Sequence, residues 1–233
     1  RSGRSLILAG FTLGLAVAIK PIMLIVAPIL WILTFKRYPW WQLPAIATST
    51  FLATAIPFVR TAWDAPAFLF SRALAQASQY PHTTINAWNI WSLNAPATWP
   101  PDDQIVLGLS AHSAGLIMFG VFTLVTLWRW SRLRFTPRAS FRVMGTILIA
   151  FFMFTTRMHE RHLLFGLPFL ALAAVWDRFL LAPTLVLTTT FCLNLFSAYY
   201  WVNHEQTWPF TSTVTSLVSW VNTIIALGLV FIW

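Results

Sequence analysis

The spacing of charged residues constrains this chain more than any other feature. Phe179 to His204 is a run of 26 residues without Lys, Arg, Asp or Glu, and Gln104–Trp128, Tyr38–Val59 and Gln206–Trp233 are similar runs of 25, 22 and 28 residues. A helix needs about 20 mostly apolar residues to cross the ~30 Å hydrocarbon core of a bilayer, so each run can hold a full span. In the last run, Pro209 predicts a helix that begins near Thr213 or Val214. Only 9% of the 233 residues are charged and 58% are hydrophobic, whereas a soluble domain carries about 25% charged residues. An ordinary water-soluble fold is excluded.

Four more uncharged intervals are short: Ser5–Ile19, Pro21–Phe35, Val143–Thr156 and His162–Trp176, each of about 15 residues, which as helix reach only about 22 Å. Long and short intervals together predict an all-α, polytopic transmembrane helical bundle of about seven or eight spans, read as a single integral membrane domain over residues 1–233. Pairing the short intervals as two hairpins puts Lys20-Pro21 at one tip and Arg157-Met158-His159-Glu160-Arg161-His162 at the other. Both tips would lie below the membrane surface. Charge at that depth is costly unless it faces water or a partner, which makes these residues functional candidates.

The net charge of +9 does not imply nucleic acid, because the few charges cannot form a basic face; it is a topology signal. Ten of the fifteen Lys and Arg (Arg1, Arg4, Lys36, Arg37, Arg129, Arg132, Arg134, Arg138, Arg142 and Arg178) fall on the side of the N-terminus, where Asp177 is the lone acid. The other five cations and five of the six acids fall opposite. By the positive-inside rule the N-terminal side is cytoplasmic. The Arg129–Arg142 run would then lie among lipid head groups. The chain starts at Arg1 without a secretory signal and stops inside an apolar stretch, as expected of a fragment. Cys192, the single cysteine, lies in an apolar run and is expected to be a small buried residue.

The connection from Arg60 to Asp103 is too long for a simple turn. Ala65–Gln79 predicts a short helix with Pro66 in its first turn. Ala67, Phe70, Ala73, Leu74 and Ala77 share one face, which suits either the membrane interface or packing on the protein itself. The following segment, from Tyr80 to Pro96, alternates amides, hydroxyls and indoles. Hydrocarbon does not tolerate that density of polar groups, so the segment must face water, protein or a polar ligand. Aromatic faces interleaved with amides suit a sugar ring, which makes Tyr80, Asn86, Asn89 and Trp91 acceptor or sugar-contact candidates. Interfacial anchoring of Trp88, Trp91 and Trp99 fits the same pattern.

A short-helix pair broken by Lys20-Pro21, then YPHTTINAWNIWSL, LGLSAHSAGLIMFGVF and RMHERHLLFGLPFLALA, resembles bacterial integral membrane glycosyltransferases of the GT-C superfamily over most of Gly10–Ala173. The MHERH segment is also similar to the His-Glu-Lys or His-Glu-Arg motif of dolichyl-phosphate-glucose glucosyltransferases and their mannosyltransferase relatives. The resemblance implies a polytopic GT-C-like fold and an active site on the extracytoplasmic side of the bacterial cytoplasmic (inner) membrane. It also implies inverting transfer of a mannose-like or glucose-like hexose from a polyprenyl-phosphate-linked donor, without cofactor or metal. Enzymes of this superfamily carry their acidic base in the first extracytoplasmic loop, ahead of the matched region, so the catalytic residue is not assigned here and the fragment alone is expected to be inactive. Asp64, Asp102 and Asp103 do not match that motif and read as solvated loop acids.

Departure of a sugar from a lipid phosphate builds negative charge on oxygen, which a guanidinium or protonated imidazole stabilises. His159, Glu160, Arg161 and Arg157 are therefore donor phosphate or sugar-binding candidates, with Lys20 as a further phosphate contact from the other tip. The alternatives are an ion pair of Glu160 with Arg157 or Arg161 that pins the tip, and snorkelling of Lys20. His159 and His162 are three residues apart, not the four of the zinc-protease helix motif, which argues against metal. Two short hairpins of similar geometry also fit a transporter or flippase of lipid-linked sugar, though their charges gather on one side and not at the midplane. A noncatalytic membrane subunit is the remaining alternative.

Overall fold

The computed structural model describes residues 3–35, 37–93, 99–133 and 135–231. Arg1, Lys36, Arg134 and the Asn94–Pro96 end of the polar aromatic segment lie outside them. The chain is mostly helical and falls into two compact units, residues 1–79 and 80–233.

The first unit contains α1 (Arg4–Ile19), a 3-10 turn (Pro21–Val26) leading into α2 (Ala27–Phe35), α3 (Gln42–Ala53) and α4 (Ala65–Ala77). The main partner of α1 is α3, not the segment that follows it, so the first short pair is not a simple two-helix hairpin. Gly10 and Gly14 account for this choice. A Cβ at Gly10 would lie 2.7 Å from Ile46 Cβ, and one at Gly14 would lie 2.5 Å from the Ala47 carbonyl. Glycines four apart on one face let two helix backbones approach in lipid, where hydrophobic attraction between helices is absent. The Tyr38–Val59 run holds the 12 residues of α3 and a 3-10 turn (Ile56–Phe58) before the chain bends; Gln42–Phe58 and Ala62–Gln76 meet at 117°. The apolar residues Phe70 and Leu74 of α4 are exposed.

The second unit contains α5 (Ala111–Ser131), α6 (Pro137–Phe154), α7 (Leu167–Ala174), α8 (Leu181–Asn203) and α9 (Ser212–Leu229). Ser110, Thr136 and Thr211 cap α5, α6 and α9, each accepting from a backbone N–H three residues on. Helix α6 is buried almost all round and contacts α5, α7 and α9, so it forms the core of the unit. Helix α7 returns antiparallel to it, with Gly145 against Leu170 and Gly166 against Ile149. The second hairpin is therefore present, but charge spacing understates its first arm. Helix α6 starts at Pro137 and carries Arg138 and Arg142 inside its first turns, because both guanidiniums pair with Asp177. A charge with a partner does not end a helix.

Among the described residues, four segments are long and apolar enough to cross a membrane: α5, α6, Arg178–Asn203 and α9. The bent pair would add a fifth, while Arg4–Ile19 and Pro21–Phe35 are shorter apolar helices. Cys192 is exposed on the outer face of α8, contrary to the buried position expected from its apolar neighbours. Among the described residues, strand structure is confined to two-residue segments, β1 (Thr84–Ile85), β2 (Ile105–Val106), β3 (Leu109–Ser110) and β4 (Met158–His159). Strands β2 and β3 pair antiparallel, and β1 pairs parallel with β4.

Candidate functional site

The polar aromatic segment is bound into the helices by its own amides. Carbonyls at the C-terminal end of a helix lack intrahelical partners. At the end of α6, Phe152 O accepts from Asn89 Nδ2 at 3.1 Å and Phe154 O from Trp91 Nε1 at 2.8 Å. From α8, Asn194 donates to Asn86 O at 2.6 Å and accepts from Trp88 N at 3.1 Å. From α9, Asn222 donates to Trp88 O at 3.1 Å while accepting from Thr190 at 2.7 Å. These bonds satisfy buried backbone that would otherwise be unpaired. They also change the roles of two sugar-contact candidates. Asn89 is 0% exposed, with its Nδ2 on Phe152 and its Oδ1 accepting from Trp91 N, so it holds the fold and has no surface to offer an acceptor. The Trp91 indole N–H is directed into the helix end, leaving only part of its ring accessible.

The chain after α6 turns sharply at Arg157, whose φ of 65° lies in the left-handed region that non-glycine residues rarely adopt. Three contacts hold it there. Its backbone N–H donates to His82 O at 2.9 Å, its Nε donates to Asp102 Oδ2 at 2.6 Å, and β4, the next two residues, pairs with β1. Asp102 is not a solvated loop acid. It is 4% exposed, and besides Arg157 it accepts from Thr156 Oγ1 at 3.2 Å, with His112 Nδ1 at 3.5 Å. Burial on its own would raise its pKa. The hydrogen bond and charge of Arg157, followed by the Thr156 hydroxyl and the His112 ring, outweigh burial and hold the carboxyl below its ordinary range.

The β1–β4 pairing aligns Thr84 with Met158 and Ile85 with His159, and a bridge links Asn86 to His159. The His159 ring meets Tyr80 edge to face at 5.3 Å and His162 at 5.5 Å, while the His159 backbone N–H donates to His162 Nδ1 at 3.2 Å. Asn86 Oδ1 accepts from the Trp99 indole at 2.9 Å. Buried Glu160 accepts from exposed Arg161 at 3.3 Å, while Arg157 pairs with Asp102 and not with Glu160. Tyr80, Asn86, Arg157, His159, Glu160 and Arg161 thus gather at one end of the second unit. Lys20 belongs to the first unit, where it is the extended residue between α1 and the Pro21 turn.

Sequence reasoning missed the roles of Asp102 and His112 around Arg157, because partners 55 and 45 positions away in the chain leave no local spacing to read; with them it missed Thr156, next to Arg157, whose role depends on Asp102. Asn194 and Asn222 did carry a signal, since amides in the middle of apolar spans require buried partners. Among the described residues, no group of three or more His, Cys, Asp or Glu is placed to hold a metal ion. Chemically, the end of the unit combines a fixed guanidinium, a second exposed one, two adjacent aromatic rings and an amide. These groups suit a ligand with an anionic part and hydroxyl groups.

The four long apolar helices fit an integral membrane protein of the helical class. Comparison with protein-family models, with curated proteins and with solved structures gives no match.

Proposed function

We propose that this chain carries the donor-binding part of a GT-C-type hexosyltransferase. It would transfer a mannose-like or glucose-like sugar from a polyprenyl-phosphate carrier to an extracytoplasmic acceptor, with inversion. The single observation that supports this most is the pairing of β1 with β4, which joins the polar aromatic segment to the charged tip. A sugar phosphate needs both, since rings and amides hold the sugar while cations hold the phosphate. In this reading His159 and Arg161 contact the donor phosphate, Glu160 orients Arg161, and Tyr80 and Asn86 lie along the sugar. Asp102 is a positioning residue that fixes Arg157. A carboxylate held ionised against an arginine is a weak base, so Asp102 is not assigned as the catalytic base. The same reading places seven or eight crossings in a bacterial cytoplasmic membrane, with this end of the unit on the extracytoplasmic side.

The test supplies radiolabelled polyprenyl-phosphate hexose to membranes containing the intact gene product. A new glycosidic product is expected, and His159→Ala should lower its rate about 10²–10³-fold, the usual effect of removing one group that stabilises developing charge. Unchanged turnover in that variant would remove His159 from the reaction. Label crossing the bilayer with no product formed would replace the transferase reading with a flippase.

A further inference from the structure

The opposite end of the second unit holds its other concentration of charge. Arg138 lies in the first turn of α6, Arg142 one turn further on, and Arg178 in the 3-10 turn (Arg178–Leu180) that leads into α8. Between Gln104 and His204 the sequence has only two acids, Glu160 beyond the far end of α6 and Asp177 here. Both oxygens of Asp177 are engaged. Its Oδ2 accepts from Arg138 at 2.8 Å and from Arg142 at 3.4 Å, and its Oδ1 accepts from Phe179 N at 3.2 Å. Arg138, Arg142 and Arg178 thus lie close to this one carboxylate. The N-terminal ends of α6 and α8 add further partial positive charge at this end of the unit.

Space for an anion is present. A cavity of about 530 Å³ is lined by Arg138, Trp176, Asp177, Arg178 and Phe179 among others. Trp176 and Phe179 on its rim are 51% and 69% exposed, and Trp176 stacks on Phe141 with the planes 3° apart. The cavity lies where two candidate spans begin, the depth at which lipid phosphates meet aromatic belts. Planar guanidinium forks match the oxygens of a phosphate, the commonest anionic group of lipid head groups in that layer.

We propose that this cavity binds a phosphate group, with an anionic phospholipid head group as its occupant. Arg138 and Arg178 hold the phosphate, Asp177 fixes Arg138 and Arg142 in place, and Trp176 and Phe179 lie along the glycerol and the first acyl carbons. This site is distinct from the His159 end and does not depend on the glycosyltransferase reading.

The full chain is purified and reconstituted in nanodiscs of phosphatidylcholine alone, of phosphatidylcholine with phosphatidylglycerol, and of phosphatidylcholine with added inorganic phosphate. Thermal unfolding and the number of lipids retained in native mass spectrometry are measured. Phosphatidylglycerol should raise Tm and be retained in preference to phosphatidylcholine. Arg178→Gln, which leaves both Asp177 ion pairs intact, should weaken retention about fivefold, and adding Arg138→Gln should weaken it about fivefold again, as expected for a cation facing an anionic head group. Arg132→Gln, at the end of α5, serves as the control for general surface charge and should change nothing. An equal Tm rise with inorganic phosphate alone would keep the phosphate site and assign it a soluble occupant. Equal retention of the two lipids, or equal loss with Arg132→Gln and Arg178→Gln, would overturn the proposal.

Discussion

Cutting the Asp102–Arg157 pair tests whether it organises the charged tip. Asp102→Ala removes a carboxylate with Nε at 2.6 Å, Thr156 Oγ1 at 3.2 Å and His112 Nδ1 at 3.5 Å. It leaves the Arg157 guanidinium largely desolvated, with 29% of its side chain exposed and its backbone in a left-handed conformation that the pair helps to hold. Stranding one member of a fully buried pair costs about 3–5 kcal/mol, and the partial exposure of Arg157 reduces this to about 2–3 kcal/mol. A double-mutant cycle of purified protein in detergent, followed by thermal and denaturant unfolding, should give a coupling of about 1–3 kcal/mol. The pH dependence has a defined sign. The folded carboxyl titrates below its ordinary value of 3.8, so its contribution is fully present above that pH and disappears as pH falls through the lower folded value. The wild type should therefore lose stability below about pH 4 more steeply than Asp102→Asn. Additive single effects, within about 0.5 kcal/mol, together with identical acid limbs in the two proteins, would refute the reasoning.

Gly10→Leu and Gly14→Leu should each destabilise the α1–α3 contact by about 1–3 kcal/mol through overpacking. Gly120→Leu, where an added Cβ meets nothing within 4 Å, should be neutral; equal effects at the three positions in a protease-resistance assay would sink the close-approach argument. Asn222→Ala should remove the donor to the Trp88 carbonyl, leave the Thr190 hydroxyl bonded to the Leu187 carbonyl, and lower stability by about 1–3 kcal/mol, measured by differential scanning fluorimetry; an unchanged Tm would show that the bond to the Trp88 carbonyl does not hold the segment. In a Cys192→Ser background, Ile105→Cys and Leu133→Cys flank the two ends of α5, and an impermeant maleimide should reach them from opposite faces of the membrane. Labelling of both from one face would rule out the α5 crossing.

Several elements were legible because they follow from local rules. Pro66 placed the start of α4, Pro209 the approximate start of α9, and the uncharged run after Arg178 the whole of α8. The amides and indoles between Tyr80 and Leu93 announced that they had to be satisfied away from lipid, and they are. The chain could not reveal by what. The partners are the free carbonyls of α6 and single amides on α8 and α9, more than 60 and 100 residues distant for Asn89 and Asn86. Charge spacing likewise misjudged the start of α6, because it treats every arginine as solvated while Arg142 is buried beside Asp177.

The sequence by itself determined that this chain is helical and suited to a bilayer, and which few charges had to be explained. Composition and periodicity decide those properties residue by residue. Only the tertiary structure decided which charge meets which. Arg157 takes Asp102 where Glu160 was three residues away in sequence, α1 takes α3 where α2 was nearer, and Asp177 gathers two arginines from the first turns of α6. Pairing depends on where backbones can approach and on which buried group would otherwise be left without a partner, and both are properties of the assembled helices.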